Sequence, residues 1–291
     1  MLGSAIQAQF AGKGIPILQL VRRLSQTSDE VQWNPQASPA IATLDKIDGL
    51  RAAIHLSGAS VSGHRWTGAY KRKMIQSRVG TTRALVDCLT RLPSPPKTLL
   101  IASAIGIYGD RGNEVLSETS GPGTGFLADL CRDWEAAADS AATAGIRVAH
   151  LRFGVVLGRG GALAQMLPIF RLGLGGRLGS GQQWMSWVSV ADVVAAVQFL
   201  LDSPEIAGPV NVTAPQPVRN AEFTRVLGSV LHRPTLLPAP APMLRLVFGE
   251  MANEALLASQ RALPSKLVQA GFRFGHPKIE DALASVLTTQ E

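Results

Sequence analysis

The sequence predicts an α/β protein with a doubly wound, parallel sheet. Two observations support this prediction: short apolar runs of strand length alternate with longer segments of helical pattern, and glycine or proline residues separate most of them. Strands are predicted at residues 15–21, 50–58, 98–103 and 147–152. Helices are predicted at residues 4–12, 71–92 and 125–144. Such an alternation is typical of a sheet whose strands all run in one direction.

The first residues have the pattern of the second half of a dinucleotide-binding βαβ unit. A helix at residues 4–12, ended by Gly14, leads to the strand Ile15–Val21 and then to Arg22. In a complete unit, a strand and a glycine-rich turn precede this helix, and the turn holds the pyrophosphate of the cofactor. Only Gly3 corresponds to that turn. We therefore expect the chain to lack the first strand and roughly ten residues of such a unit.

A missing first strand has a consequence for the sheet. It would be the central strand, so the strand ending at Val21 and the strand ending near Leu56 would lose the neighbour that they share. Backbone groups in a buried place would then lack partners. Either a gap remains between the two strands or another segment fills it.

The pattern changes after Gly154. The glycine-rich stretch at residues 173–181 lacks the Gly-Lys-Ser/Thr ending of a phosphate-binding loop, so we interpret it as a flexible frame around a pocket. Residues 190–201 predict a helix, 208–212 a strand and 220–231 a helix with Asn220 as its N-cap. Residues 234–242 are a proline-rich linker, and 271–274 an extended piece before the last helix.

These elements predict two regions. Residues 1–157, joined by 190–212, form a Rossmann-like dinucleotide-binding domain. Residues 158–189 and 213–291 form a smaller substrate or cap region, in which 243–291 are a small helical domain.

The composition is that of a globular protein. Of 291 residues, 46% are hydrophobic and 17% charged, and the chain is long enough to bury a substantial core. No apolar run reaches about 18 residues and no signal-peptide pattern opens the chain, so we expect a cytoplasmic protein without a membrane partner. Cys88 and Cys131 lie outside any metal-binding motif, so we expect reduced thiols and no metal.

The net charge of +7 would suit a nucleic acid or an acidic surface as a binding partner. The densest basic stretch, residues 65–83, has the pattern of one amphipathic helix and contains no interleaved stacking motif. We expect a solvated helix face, with contacts from one or two of these residues to a cofactor phosphate as the alternative. No nucleic-acid partner is expected.

A series of short motifs, in order from Gly3 almost to the end of the chain, resembles the extended branch of the short-chain dehydrogenase/reductase superfamily. The match is to its atypical epimerase family group, which has a small C-terminal domain. The motifs are Ser57-Gly58, Arg65-Trp66, Ser77-Arg78, Ser103-Ala104-Ile105-Gly106-Ile107-Tyr108-Gly109-Asp110, Cys131-Arg132-Asp133-Trp134-Glu135-Ala136-Ala137, Arg152-Phe153-Gly154-Val155-Val156-Leu157-Gly158, Leu172-Gly173-Leu174-Gly175-Gly176 and Asn220-Ala221-Glu222-Phe223. Family members normally begin with a strand and Thr-Gly-x-x-Gly-x-x-Gly, of which only the last glycine is present.

The resemblance implies NADP(H) as the cofactor, and Arg22 supports this independently. An acidic residue at the position of Arg22, directly after the strand, would bind the ribose hydroxyl of NAD and repel the 2′-phosphate of NADP. A guanidinium at this position can pair with that phosphate. The alternative is an ordinary surface arginine. The backbone of Leu56 and Ser57 is expected to lie against the adenosine and pyrophosphate, and Arg152 at the nicotinamide end. The expected cofactor-binding residues are Gly3, Val21, Arg22, Leu56, Ser57, Arg78 and Arg152.

The usual proton relay of the superfamily is missing. Its hydride-transferring members use a Tyr-x-x-x-Lys pair, in which the lysine lowers the pKa of the tyrosine. The tyrosines here are Tyr70 and Tyr108, and the residue four positions after Tyr108 is Gly112. Ser103 is a catalytic candidate that could hydrogen-bond a substrate oxygen, with a turn-capping serine as the alternative. Tyr108 is the second candidate, with a packed turn residue as the favoured alternative.

Other ionisable residues have simpler interpretations. Asp133 and Glu135 are expected on an exposed helix face, meeting solvent or a neighbouring arginine. His55, on an apolar strand, is expected to be a core residue. We expect an NADP(H)-binding oxidoreductase or epimerase-like protein that acts on a small polar substrate. The alternatives are a non-catalytic nucleotide-binding regulator with a protein partner, such as a cell-division factor, and a chain that does not bind the cofactor as given.

Overall fold

The computed structural model describes residues 1–37, 40–41 and 43–288. Its helices are α1 (Leu2–Gly12), α2 (Gly68–Ile75), α3 (Thr81–Leu89), α4 (Phe126–Ala136), α5 (Asp139–Thr143), α6 (Gly161–Arg171), α7 (Val190–Asp202), α8 (Asn220–Leu231), α9 (Ala241–Phe248), α10 (Ser265–Gln269) and α11 (Ile279–Thr288). Its strands are β1 (Gln19–Val21), β2 (Glu30–Gln32), β3 (Ala52–His55), β4 (Thr98–Ala104), β5 (Val115–Leu116), β6 (Arg147–Phe153), β7 (Val155–Leu157), β8 (Trp184–Met185), β9 (Trp187–Ser189), β10 (Gly208–Val212), β11 (Val218–Arg219) and β12 (Arg261–Ala262).

Four parallel strands form the central sheet, in the order β10, β6, β4, β3. Strand β4 is buried from Thr98 to Ser103, as expected for a strand covered on both faces. Helices α3 and α5 pack on each other and α4 and α5 on the sheet, whereas α1 packs on α7. The predicted doubly wound α/β fold is confirmed.

The first two strands form a separate parallel sheet. Strand β1 pairs with β2 and strand β3 with β4, and no described strand pairs with both β1 and β3. Of the two outcomes expected for this place, filling by another strand is not found among the described residues. The strand predicted at residues 15–21 is shorter, since β1 begins only at Gln19 and Pro16 has no backbone N–H to donate. Three residues are too few to show a periodicity, so the pattern does not predict β2.

Two of the predicted helices are interrupted. The helix expected at residues 71–92 is α2 and α3 joined by a π-helical turn at Gln76–Gly80, and that expected at 125–144 is α4 and α5. The prediction that Asn220 caps α8 is wrong, because Arg219 is the N-cap residue. The buried amide of Asn220 instead accepts a hydrogen bond from the backbone N–H of Leu178, at 2.8 Å.

A second apolar core lies under α6, α8 and α11, apart from the core around the sheet. Its buried residues are Leu157, Leu163, Leu167, Phe170, Trp187, Ala214, Val218, Phe223, Val226, Leu227, Ile279, Ala282 and Leu283. These residues come from the predicted cap region and its borders, but the domain boundaries stay a prediction. None of the helices in the described ranges combines the length and the apolar character that crossing a bilayer requires.

Candidate functional site

Buried polar side chains form a row across the carboxyl ends of three strands of the central sheet. In the register, Ser103 of β4 lies beside Arg152 of β6, and Arg152 beside Asn211 of β10. Register partners in neighbouring strands project to the same face, so the three side chains are neighbours. The carboxyl edge is where open α/β sheets bind their ligands. The structure therefore brings two predicted site residues, Ser103 and Arg152, together at this edge.

Glu135 joins this row from α4. Its Oε1 accepts hydrogen bonds from Ser103 Oγ at 2.7 Å and from Arg152 Nε at 2.8 Å, and its Oε2 accepts one from Arg152 Nη2 at 2.8 Å. Burial lowers the pKa of Arg152, but its hydrogen bonds and ion pair with Glu135 outweigh that effect and raise the pKa above its ordinary value. Ser103 is therefore held by a fixed carboxylate and does not cap a turn.

The interpretation of Glu135 as a residue of an exposed helix face is wrong. Its side chain is 13% exposed, whereas that of Asp133 is 59% exposed. Cys131 and Glu135 are four positions apart and thus share the buried face of α4. The four-residue spacing from the apolar Cys131 is the feature of the sequence that could have predicted the burial of Glu135. The arginine partner that was expected for such a carboxylate is Arg152.

Tyr108 is fully buried and its hydroxyl is surrounded by partners. Arg152 Nη1 donates to the hydroxyl at 3.0 Å, and Asn211 Oδ1 at 2.7 Å and the carbonyl of Ser117 at 3.0 Å can accept its proton. Burial raises the pKa of this hydroxyl, against the opposing effect of the charge on Arg152. These contacts favour the interpretation of Tyr108 as a packed turn residue, and its catalytic role stays a prediction.

Two adjacent arginines follow β1 and differ in their contacts. Arg23 forms a bidentate pair with Glu30, at 2.5 and 2.7 Å. Arg22 is exposed and has neither a hydrogen bond nor an ion pair among the described residues. Its charge acts on His55, whose pKa is lowered to about 4, first by burial and then by Arg22. His55 is a core residue, as expected, and Arg22 is a cation without a counter-ion near the end of β3.

Arg78 is buried, so the expectation of a solvated helix face is wrong for this residue. Its Nη2 donates to the carbonyl of Ala59 at 2.9 Å, and its guanidinium lies 5.1 Å from the ring centre of Trp134. A Cβ at Gly58 would lie 3.0 Å from the guanidinium carbon, so a larger residue there would press on the guanidinium of Arg78. The structure gives Arg78 no ion pair with any described carboxylate, and burial lowers its pKa.

The remaining predicted residues lie near these arginines or at the start of α1. Val21 is the last residue of β1, and Leu56 and Ser57 are half-buried immediately after β3. Gly3 lies inside the first turn of α1 and is exposed, and a Cβ added there would meet nothing within 4 Å. The start of α1 packs on a glycine-rich loop, because a Cβ at Gly158 would lie 2.7 Å from the sulfur of Met1.

The cysteines and the acidic residues do not build a metal centre in the part of the chain that the structure describes. Cys88 and Cys131 are both buried and both free. Burial raises the pKa of the Cys131 thiol to about 12, so the thiol is neutral and unreactive at neutral pH.

Comparison with known proteins places the chain in a family. The sequence profile of the NAD dependent epimerase/dehydratase family matches residues 1–213, and that of a domain of unknown function (DUF1731) matches residues 239–286. An epimerase family protein of Mycobacterium bovis is 43% identical over 293 residues, covering 99% of this chain and 95% of the relative. The epimerase family protein YfhF of Bacillus subtilis is 34% identical, covering 100% of this chain and 96% of the relative.

A solved structure is similar over the whole fold. The crystal structure of the human epimerase family protein SDR39U1 (isoform 2) with NADPH has a TM-score of 0.90 and 28% identity, and the match covers 100% of this chain and 97% of that one. The resemblance stated from the sequence motifs is confirmed.

Proposed function

The chain belongs to the NAD dependent epimerase/dehydratase family, and from that premise we propose that it binds NADP(H) and acts as an oxidoreductase or epimerase-like enzyme on a small polar substrate. The observation that carries the choice of NADP(H) is the contrast between Arg22 and Arg23. Arg23 is neutralised by Glu30, whereas Arg22, directly after β1, has no counter-ion among the described residues. A 2′-phosphate is the group that distinguishes NADP from NAD and that a free guanidinium binds.

The residues present fit the adenosine half of this cofactor. Arg22 and Arg78 supply two positive charges without a carboxylate partner, near the carboxyl ends of β1 and β3. Gly58 lets the backbone approach the guanidinium of Arg78 closely. The first turn of α1 contains no acidic residue that would repel a phosphate. The human relative of known structure was crystallised with NADPH, which agrees with this assignment.

The chain's own residues have distinct roles in this proposal. When bound, NADPH would donate a hydride to a substrate carbon, and NADP⁺ would accept one from it. Ser103 donates its hydroxyl proton to Glu135 at 2.7 Å, which leaves Ser103 Oγ to accept a hydrogen bond from a substrate hydroxyl. Arg152 holds Glu135 in place by two hydrogen bonds. Tyr108 supports Arg152 from the buried side.

The second candidate function is a regulator that binds the nucleotide without turnover. The observation that favours it is the position of Tyr108, whose hydroxyl is buried among protein partners and has no lysine in the superfamily's position. Such a regulator would need a protein partner that recognises the nucleotide-bound form.

A fluorescence titration with NADPH and NADH tests the proposed function. We expect NADPH to bind, and we expect Arg22→Gln to weaken NADPH binding about tenfold or more while leaving NADH binding unchanged, because only NADPH carries the 2′-phosphate. Arg91→Gln is the matched control, since it removes the same charge from an exposed residue elsewhere. Absence of NADPH binding to the wild-type chain would contradict both candidate functions.

Turnover separates the two candidates. NADPH oxidation, followed by absorbance over a panel of small carbonyl and sugar substrates, is expected for the enzyme and should fall in Ser103→Ala. Tight binding without oxidation of any substrate, together with capture of a protein partner only in the presence of NADPH, would favour the regulator.

A further inference from the structure

Exposed apolar side chains are concentrated on three neighbouring segments of the chain. Nine of the fifteen large apolar residues that are exposed in the described ranges come from the end of α6 and the loop after it, the loop before α9, and α9 itself. Single apolar residues are normal on a protein surface, but a concentration of them marks a binding surface. We call these nine residues the leucine-rich surface: Ile169, Leu172, Leu174, Leu236, Leu237, Met243, Leu246, Val247 and Phe248.

Hydrogen bonds to backbone carbonyls join the three segments. Arg233 Nε donates to the carbonyl of Arg171 at 2.8 Å, and the backbone N–H of Ala239 donates to the carbonyl of Arg177 at 2.9 Å. The backbone N–H of Gly179 donates in return to the carbonyl of Ala239 at 2.8 Å. Because α9 begins two residues after Ala239, the loop after α6, the loop before α9 and α9 itself are neighbours in the fold.

The apolar side chains of this surface project into solvent. Leu236 is 83% exposed and Leu172 is 74% exposed. On α9, Met243 and Val247 are four positions apart and share an exposed face, whereas Leu244 is buried on the other side of the helix. Protruding apolar side chains on loops and a short helix suit insertion into the boundary between lipid headgroups and acyl chains.

The charges on the same segments are all positive. Residues 159–191 and 223–249 contain no aspartate and no glutamate. Arg171, Arg177, Arg233 and Arg245 are exposed, and none of the four forms an ion pair with a carboxylate in the described ranges. The hydrogen-bond acceptors of Arg233 and Arg245 are neutral carbonyl oxygens, which leave the charge of each guanidinium in place.

The carboxylates that follow α9 are already occupied. Glu250 pairs with Lys71 of α2, at 2.5 Å between Oε2 and Nζ. Glu254 accepts from the backbone N–H groups of Phe126 and Leu127 at the start of α4, at 3.0 and 2.7 Å. Both carboxylates therefore serve partners in the first part of the chain, and the arginines beside the leucine-rich surface keep their net positive charge.

From these observations we infer that the leucine-rich surface binds the surface of a membrane that contains anionic lipids. The leucines insert below the headgroups, and the four arginines pair with lipid phosphates. A second copy of the chain fits less well, because it would bring the arginines of both copies together. The expectation of no membrane partner was based on the lack of a spanning segment and of a signal peptide, and surface binding requires neither.

Co-sedimentation with lipid vesicles tests this proposal. We expect the wild-type chain to bind vesicles of phosphatidylcholine and phosphatidylglycerol, mixed at about 3:1, saturably, and to bind vesicles of phosphatidylcholine alone at least about tenfold more weakly. The double variant Leu172→Ser/Leu236→Ser should bind the anionic vesicles about tenfold or more weakly than the wild type. Leu24→Ser is the matched control, because Leu24 is also 74% exposed but lies outside the leucine-rich surface.

A second pair of substitutions tests the charges. The double variant Arg171→Gln/Arg177→Gln should weaken binding to anionic vesicles about tenfold or more, because each arginine near such a surface strengthens binding about fivefold. Arg91→Gln, at an exposed position elsewhere, should leave binding unchanged. All of these variants should bind NADPH as the wild type does, so a failure of the proposed function is distinguishable from a failure of membrane binding.

Thermal unfolding followed by circular dichroism shows whether each variant is folded, and if the leucine variant is not, the arginine variant decides the result. Absence of binding to anionic vesicles would overturn the proposal and leave an acidic protein as the occupant. Equal binding to neutral vesicles, or unchanged binding of the leucine variant, would also overturn it. A wild-type dimer that the leucine substitutions convert to a monomer, measured by light scattering, would assign the surface to a second copy instead.

Discussion

Arg152 shows how one buried charge organises several neighbours. Its guanidinium donates to both oxygens of Glu135 and to the hydroxyl of Tyr108, so three of its five N–H groups are satisfied by two side chains. A buried charge is tolerated only when it is paired and hydrogen-bonded. The same carboxylate accepts the hydroxyl proton of Ser103, so the ion pair and the candidate catalytic serine form one unit.

We predict that Glu135→Gln destabilises the fold strongly. The glutamine cannot accept from Arg152 at both terminal atoms, and Arg152 would remain as a buried charge without its counter-ion, at a cost of about 3 kcal/mol in the free energy of unfolding. Urea denaturation measures this change. Asp133→Asn, on the exposed side of the same helix, is the control and should change stability by less than about 0.5 kcal/mol. Equal effects of the two substitutions would refute the role given to the pair.

His55 predicts a pH dependence of stability. Its pKa in the folded protein is about 4, below the ordinary value of 6.5, because burial and Arg22 disfavour the protonated ring. The unfolded chain therefore binds a proton first as the pH falls. Neutral His55 therefore contributes its full share to the free energy of unfolding above pH 6.5, and this share is lost between about pH 6.5 and 4. The loss is roughly 2 kcal/mol at pH 5.

Urea denaturation at pH 7.5 and pH 5 measures the loss. His55→Gln should reduce the difference between the two pH values, whereas His64→Gln, at an exposed position, should not. The half-buried His150 also has a lowered pKa, so part of the difference should remain in the His55 variant. An unchanged difference in His55→Gln would rule out the assignment.

At the scale of elements, the N-terminus of α7 connects the sheet region to the C-terminal segment. Ser189 caps the helix by accepting the backbone N–H of Asp192, at 3.0 Å. The buried carboxylate of Asp192 accepts from Ser189 Oγ and from the backbone N–H groups of Gly275 and His276, at 2.9, 2.6 and 3.0 Å. One carboxylate therefore holds both the start of α7 and the loop before α11.

We predict that Asp192→Asn loosens the C-terminal segment. An asparagine keeps one acceptor oxygen, so it cannot serve both backbone N–H groups and Ser189, and a loss of about 2–4 kcal/mol in the free energy of unfolding is expected. Hydrogen exchange of residues 271–288 should become faster than in the wild type. Asp202→Asn, which removes an exposed carboxylate at the other end of α7, should change neither measurement appreciably. Unchanged exchange in the Asp192 variant would show that the loop is held by other contacts.

At the scale of the whole molecule, the separation of the β1–β2 sheet from the central sheet indicates where the fold is weakest. Strand β4 is seven residues long, buried and paired on both edges, whereas β1 is three residues long, half-buried and paired on one edge. Regions with short pairing and little burial open locally before the core does. The same region contains Val21 and precedes Arg22, so its opening would affect the proposed cofactor site.

We predict that the backbone of β1 exchanges its amide hydrogens about a hundredfold faster than that of β4 under native conditions. Hydrogen exchange followed by mass spectrometry on peptides covering residues 15–24 and 97–106 measures the difference. A peptide covering β6, which is also paired on both edges, serves as the reference for the central sheet. Equal protection of the two peptides would mean that both sheets open as one unit.

The elements that sequence reasoning located well are those whose burial produces a long, regular pattern. Strands β4 and β10 and helices α7 and α8 agree with the expectation to within one residue at each end. The π-helical turn between α2 and α3 and the short strand β2 produce no such pattern, and they were missed. The cofactor and catalytic residues chosen from the motifs stay predictions.

The sequence alone determined the family, the order of the longer strands and helices, and the missing Tyr-x-x-x-Lys pair, because each depends on residues that are neighbours along the chain. Only the tertiary structure decided that Glu135 pairs with Arg152, that Arg22 has no counter-ion and that Arg261 lies unsatisfied against Trp184. The physical reason is that the pairing of charges depends on which distant segments meet. For example, Trp184 and Arg219 donate to the same amide oxygen of Asn113, although Asn113 and Arg219 are 106 positions apart in the chain.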